Sequence, residues 1–254
     1  MTLPDGLGVA DHGTVRVITF DRPRTRNAMT GAMRRALVAV LAEADADDAV
    51  TAVVLTGADP AFTAGVDFTD VEGDDRPGPH LAAVDPARAL LAMRTPTIAA
   101  VNGACVSGGL EVALACTFIV ASERARFADT HARLGVVPAW GLTAMLPRAV
   151  GRRKAAEMSI TGNFVPAAEA LALGLVNHVV GHDVLLDVAV ALAGQVATTS
   201  AVGEILSLYE RGDDLSFNAA LALEADVSRR VRDSFDPSAF ASAGREASDR
   251  QREG

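Results

Sequence analysis

The sequence predicts an α/β fold with a helical C-terminal part, on three observations. Short apolar runs with strand character recur through the first two-thirds of the chain, separated by stretches with helical spacing. Two of these runs, TAVVLT (51–56) and TIAAV (97–101), are continuously apolar, as strands buried on both faces are. After Pro138 the apolar spacing becomes mostly helical.

In chain order, TVRVITF (14–20) alternates as a strand, and the turn-like DRPRTRNAM (21–29) leads to Thr30, a suitable helix N-cap. Met33, Leu37, Val40, Leu41 and Ala44 then predict a helix to about Ala46. TAVVLT closes at Gly57 as a buried strand. Residues 70–86, rich in Gly, Pro and acids, read as a loop, and a helical pattern returns over 86–93. TIAAV is a further buried strand, Gly108 and Gly109 precede a helix carrying Glu111, and an apolar run over 117–121 follows. Helices are expected over 142–150, 152–160 and 166–173, the last closed by Gly174 as a C-cap, and from Val184 onward. The polar ending SAGREASDRQREG is expected to fray.

Of the 254 residues half are hydrophobic and 22% charged, a composition that supports a full core. A net charge of −9 argues against a nucleic-acid or acidic membrane partner, because phosphates would be repelled over most of the surface. The opening MTLPDGLGVADHG has neither a basic stretch nor an apolar one, and no run is long enough to span a membrane. Cys105 and Cys116 lack metal or redox spacing and read as core residues in a reducing compartment. The expectation is a cytoplasmic protein.

The segment NGACVSGGLEVALAC (102–116) places Glu111 behind two glycines at the head of an apolar run. A helix N-terminus with glycines allows close backbone approach and suits a developing oxyanion. Glu111 among Leu110, Val112, Ala113 and Leu114 is either a desolvated general acid/base or an exposed acid that complements the helix dipole. A serine hydrolase reading of CVSGG fails on its missing first glycine and on the absence of a histidine in the right order. Ser107 reads as a turn residue.

Together, DRPRTRNAM, LTG (55–57), AFTAGVDF (61–68), PTIAAVNGACVSGGLEVALAC (96–116), RFADTHARLGVVP (126–138), LPRAVG (146–151) and TGNFVPAAEALALGLVNHVV (161–180) resemble the crotonase, or enoyl-CoA hydratase/isomerase, family. The resemblance implies a crotonase-like spiral of ββα units over residues 1–195 and a helical C-terminal trimerisation region over 196–254. It also implies a coenzyme A thioester substrate, an enzyme assembled as a homotrimer or homohexamer, and no cofactor beyond the CoA of the substrate. By the same resemblance the oxyanion donors are the backbone N–H groups of Val66 and Gly108. Arg24, Thr25, Arg26, Ala28, Ala64, Asp67, Phe68 and Thr69 border the CoA-binding edge. Arg24 and Arg26 meet phosphates or form a solvated turn.

Glu111 matches the first catalytic glutamate of the hydratases, and His131 stands where the second falls. His131 either shares proton transfer with Glu111 or lines the pocket; Asp129 and Thr130 are candidates to orient it, with Asp129 otherwise a loop acid. Trp140 either narrows the acyl pocket or packs in the core. The leading expectation is hydration of a 2-enoyl-CoA. The alternatives are another crotonase-type reaction, such as isomerisation, decarboxylation or thioester hydrolysis, and a non-catalytic acyl-CoA-binding protein. Dehalogenation is set aside, since 135–141 contains no carboxylate.

Overall fold

The computed structural model describes residues 3–67 and 84–233. The chain divides into two compact units, Met1–Gly203 and Glu204–Gly254. The first carries the sheets and the second the end of the helical region.

The strands are β1 (Leu7–His12), β2 (Val15–Phe20), β3 (Ala52–Gly57), β4 (Ala61–Thr63), β5 (Thr97–Val101), β6 (Ala104–Val106), β7 (Phe118–Ser122), β8 (Arg126–Ala128), β9 (Val165–Pro166) and β10 (His178–Val180). The helices are α1 (Gly31–Ala46), α2 (Pro86–Leu91), α3 (Gly108–Ala115), α4 (Leu142–Val150), α5 (Arg152–Thr161), α6 (Ala167–Ala172), α7 (Leu185–Ala193), α8 (Ala201–Gly212) and α9 (Phe217–Asp233). One sheet has the order β1-β2-β3-β5-β7-β10 and is parallel except for the β1–β2 hairpin. The other has the order β4-β6-β8-β9, with only β8–β9 antiparallel.

The continuous apolar strands have a direct cause. Ile18, Phe20, Val53, Leu55, Ala99, Val101, Ile119 and Ala121 join one hydrophobic cluster with α1 and α3, while Val15, Val17, Ala52, Val54, Ile98, Ala100 and Val120 join a second with Leu185, Ala189 and Ala193 of α7. Neighbouring residues therefore point to opposite, equally apolar faces. Helix α1 begins at Thr30, whose Oγ1 accepts the Met33 N–H at 3.1 Å, as its sequence predicts.

Strand β1, the short strands β4, β6, β8 and β9, and β10 add to the elements expected from sequence, so strands continue into the last third of the chain. Gly108 and Gly109 are the first two residues of α3 rather than a turn before it. The helical C-terminal region is interrupted at 194–200 and 213–216.

Each of β3, β5 and β7 is followed within a few residues by a strand of the second sheet, giving the repeats β3–β4–α2 and β5–β6–α3 of a crotonase-type spiral. The corner between β5 and β6 needs Gly103, because a Cβ there would lie 2.2 Å from the Pro60 carbonyl oxygen. Strands β4, β6 and β8 are parallel neighbours, so the residues after their C-terminal ends gather in one place. Behind them, His182 joins two turns of the spiral through Asp59 Oδ2 (2.9 Å) and Ser122 Oγ (3.0 Å).

Asn27 secures the loop before α1. Its Nδ2 donates to the carbonyls of Ala58 and Ala61 at 2.6 Å each and of Phe62 at 3.3 Å, while Oδ1 accepts the Arg22 N–H. An Asn27→Ala change strands these buried carbonyls and places alanine at a φ of +58°. We expect it to cost about 2–4 kcal/mol, read as a lowered denaturant midpoint. A loss under about 0.5 kcal/mol would show that the loop holds without it.

Candidate active site

The site is built at the C-terminal ends of β4, β6 and β8. After β4, Met29 donates to the Gly65 carbonyl (2.7 Å) and accepts the Asp67 N–H (3.0 Å). This parallel bridge turns the N–H of Val66 between them away from Met29. Gly65 has a φ of +89°, and a Cβ on it would lie 2.9 Å from the Gly108 nitrogen. Only glycine lets these two backbones touch.

After β6, Ser107 caps α3 at φ +48°, a left-handed conformation that a serine adopts at a cost. Its hydroxyl accepts the Thr130 N–H at 2.9 Å and lies 2.7 Å from Thr130 Oγ1. Ser107 thus ties the start of α3 to the segment after β8. Being first in the helix, Gly108 has no intrahelical acceptor for its N–H. Among the described residues neither that N–H nor the Val66 N–H donates a hydrogen bond.

Glu111, fourth in α3, is only 2% exposed. Its Oε1 accepts the N–H groups of Trp140 (2.7 Å) and Leu142 (3.3 Å), so the carboxylate caps the N-terminus of α4 from outside. Burial raises its pKa above the ordinary glutamate value, against the lowering effect of these hydrogen bonds and of His131. Of the two sequence readings, the buried one holds.

After β8, His131 faces Glu111 with Nε2 3.8 Å from Oε2. Its Nδ1 lies 2.6 Å from Asp129 Oδ1, which also accepts the His131 N–H at 3.1 Å. Burial alone would raise the Asp129 pKa, but hydrogen bonds from His131 and Ser159 and the nearby imidazole bring it below the usual value. The order across the site is carboxylate, imidazole, carboxylate.

The remaining sequence candidates are placed as follows. Arg24, Thr25 and Arg26 are exposed on the turn before α1, Ala28 is buried behind it, and the Ala64 N–H donates to the Arg26 carbonyl at 3.0 Å. Asp67 is buried and accepts from Arg22 Nη1 at 2.6 Å, a nitrogen that also donates to the Ala28 carbonyl. Its carboxylate therefore braces the strand end that carries Val66. Trp140 is buried in the core, with a ring atom 3.0 Å from where a Gly108 Cβ would sit and with the Arg34 guanidinium 5.8 Å from the ring centroid. Phe68 and Thr69 lie outside the described residues. Cys105 and Cys116 are buried thiols, and burial pushes Cys116 up to about 12, so neither is a nucleophile at neutral pH.

Sequence reasoning overlooked Arg22 and the Ser107–Thr130 contact. The signal for Arg22 was its place in DRPRTRNA beside a loop that must be anchored. Nothing in the spacing marks Ser107 and Thr130 as partners.

A family described as enoyl-CoA hydratase/isomerase matches residues 10–235. The chain belongs to the enoyl-CoA hydratase/isomerase family. It is 42% identical over 195 residues to a Rhizobium meliloti protein named as a probable enoyl-CoA hydratase, covering 76% of each chain. It is 37% identical over 218 residues to a protein from Arabidopsis thaliana named as a probable peroxisomal enoyl-CoA hydratase, covering 85% of this chain and 82% of that one. The crystal structure of an enoyl-CoA hydratase from Mycobacterium tuberculosis H37Rv superposes with a TM-score of 0.74 at 43% identity, over 90% of this chain and 99% of that one.

In this member of the enoyl-CoA hydratase/isomerase family the raised Glu111 pKa fixes a sign. Folding raises the affinity of Glu111 for its proton, so at pH values above the folded pKa the buried charge subtracts from stability. That cost fades as pH falls through the folded value. We expect Glu111→Gln to match or exceed the wild-type melting temperature at pH 8, with the gap closing on acidification. A clearly less stable variant at pH 8 would mean that the ionised carboxylate is a net structural asset.

Proposed function

We propose that the chain adds water across the C2–C3 double bond of a 2-enoyl-CoA thioester, acting as a lyase. The observation that carries this reading is the buried Glu111 carboxylate, facing His131 across 3.8 Å, one helical turn inside the helix that begins at Gly108. The names of the relatives support the same reaction.

In the proposed mechanism the N–H groups of Val66 and Gly108 receive the thioester oxygen. Such a donor contributes about 2.7–4 kcal/mol when charge develops on the oxygen. Glu111 takes a proton from water as the water oxygen bonds to C3. The π electrons move onto the thioester oxygen as an enolate. The proton taken by Glu111 passes through water to the free Nε2 of His131, and C2 takes it from there as the enolate collapses, which leaves both side chains as they began. No cofactor enters these steps. Arg24 and Arg26 receive the phosphates of CoA in this reading, which their exposure on the turn supports.

Homo-oligomeric assembly and a cytoplasmic location belong to the same proposal. In the second unit, Tyr209 of α8 and Phe217 of α9 are 74% and 77% exposed, an apolar surface suited to a second copy of the chain. This favours 196–254 as the assembly region. No helix among the described residues is long and apolar enough to cross a membrane. Two buried free thiols suit a reducing compartment.

The test follows loss of the conjugated enoyl-thioester absorbance with 2-enoyl-CoAs of short, medium and long chain. We expect wild-type turnover, and a fall in kcat of about 100-fold or more in Glu111→Gln with acyl-CoA binding retained. Tight binding without turnover by the wild type would replace the enzyme reading with a binding role.

A further inference from the structure

We propose that Asp129 is a positioning residue that holds His131 in the tautomer with hydrogen on Nδ1, leaving Nε2 as the nitrogen that exchanges protons beside Glu111. The inference deepens the hydratase reading and rests on it only for its kinetic arm.

The geometry leaves little choice of roles. Asp129 is 1% exposed, and its Oδ1 accepts both the backbone N–H (3.1 Å) and the ring Nδ1 (2.6 Å) of His131. Two contacts from one residue to one oxygen fix the ring's rotation as well as its distance. An ionised carboxylate is an acceptor only, so the hydrogen between Asp129 and His131 must sit on Nδ1. The lowered Asp129 pKa agrees with an ionised group.

The consequence falls on the opposite nitrogen. With Nδ1 committed, Nε2 alone changes protonation, and it is the ring nitrogen placed 3.8 Å from Glu111 Oε2. That separation is too long for a direct hydrogen bond and leaves both groups able to reach one reacting water. Without Asp129 the ring is free to place hydrogen on Nε2 in its neutral form. Nδ1 would then be the basic atom, pointing away from Glu111. The imidazole would still be present but its basic lone pair would be on the wrong side.

A brace from the neighbouring strand makes Asp129 effective. Thr130, between Asp129 and His131, donates its N–H to Ser107 Oγ, so the segment is pinned to the start of α3. Asp129 orients the ring, and Ser107 sets where that ring stands relative to Gly108.

The experiment reads the His131 ring directly and then its effect on turnover. Nitrogen-15 NMR of the imidazoles, with His131→Gln used to assign the His131 signals, reports the tautomer without reference to activity. We expect neutral wild-type His131 to carry hydrogen on Nδ1, and Asp129→Asn to shift population to the Nε2–H form. Wild-type His131 with hydrogen on Nε2, or a tautomer unchanged in Asp129→Asn, would overturn the proposal. This arm decides even if the Asn variant folds poorly, because the wild-type spectrum alone tests the assignment. With a four-carbon 2-enoyl-CoA, Asp129→Asn should lower kcat about 10-fold or more while KM changes less than about twofold. In a His131→Gln background the same change should alter kcat less than about twofold. Equal losses in both backgrounds would reduce Asp129 to a structural role. Absence of hydration by the wild type overturns the hydratase reading instead, and the ring spectrum still decides the tautomer.

Discussion

The site depends on burying one carboxylate. Taking an ionised Glu111 out of water is costly, and its place in an apolar helix is tolerable because Trp140 and Leu142 supply backbone N–H groups at the start of α4. Two helix N-termini are thereby set to two tasks. That of α4 is spent on Glu111, while that of α3 leaves the Gly108 N–H for the thioester oxygen of the proposed mechanism. The burial that raises the Glu111 pKa above the ordinary glutamate value makes it a stronger base than an exposed glutamate.

The spiral supplies the rest by repetition. Ala104–Val106 pair in register with Arg126–Ala128, and β4 pairs with β6, so positions distant in sequence leave the sheet side by side. Each of three parallel strands then brings candidate residues to the site: Val66 after β4, Gly108 and Glu111 after β6, His131 after β8. This is the general place for sites in parallel sheets, where the chain emerges from the strand ends and short loops are held by a rigid frame.

That arrangement explains what was legible in the sequence. Strands β3 and β5 are plain because both faces are apolar, and α1 is plain because its cap and its spacing agree. The three-residue strands β4, β6 and β8 carry too few positions to show a period, so the sheet that assembles the site was visible only through family resemblance. Glu111 could be singled out from its neighbours, yet its buried state depended on a loop 29 residues away. Likewise, the Asp129–His131 pair is local and was anticipated, whereas Arg22–Asp67 spans 45 positions and Ser107–Thr130 spans 23. Contacts at such separations are set by strand register, which no local pattern records.

The histidine in a place where the family resemblance puts a second glutamate also has an electrostatic logic. Two carboxylates facing each other in a buried site repel, and one of them must hold a proton. Here the imidazole stands between Glu111 and Asp129, so each acid has a ring nitrogen as its neighbour in place of another acid. Asp129 keeps its charge while Glu111 is pushed toward its neutral form, although both are almost wholly buried. The difference lies in partners: Asp129 receives hydrogen bonds from the ring and the backbone of His131, whereas the donors to Glu111 do not offset its desolvation. Environments that drive two acids in opposite directions give them different work. The ionised one holds the ring, and the one pushed toward its neutral form is the proton acceptor of the proposed mechanism.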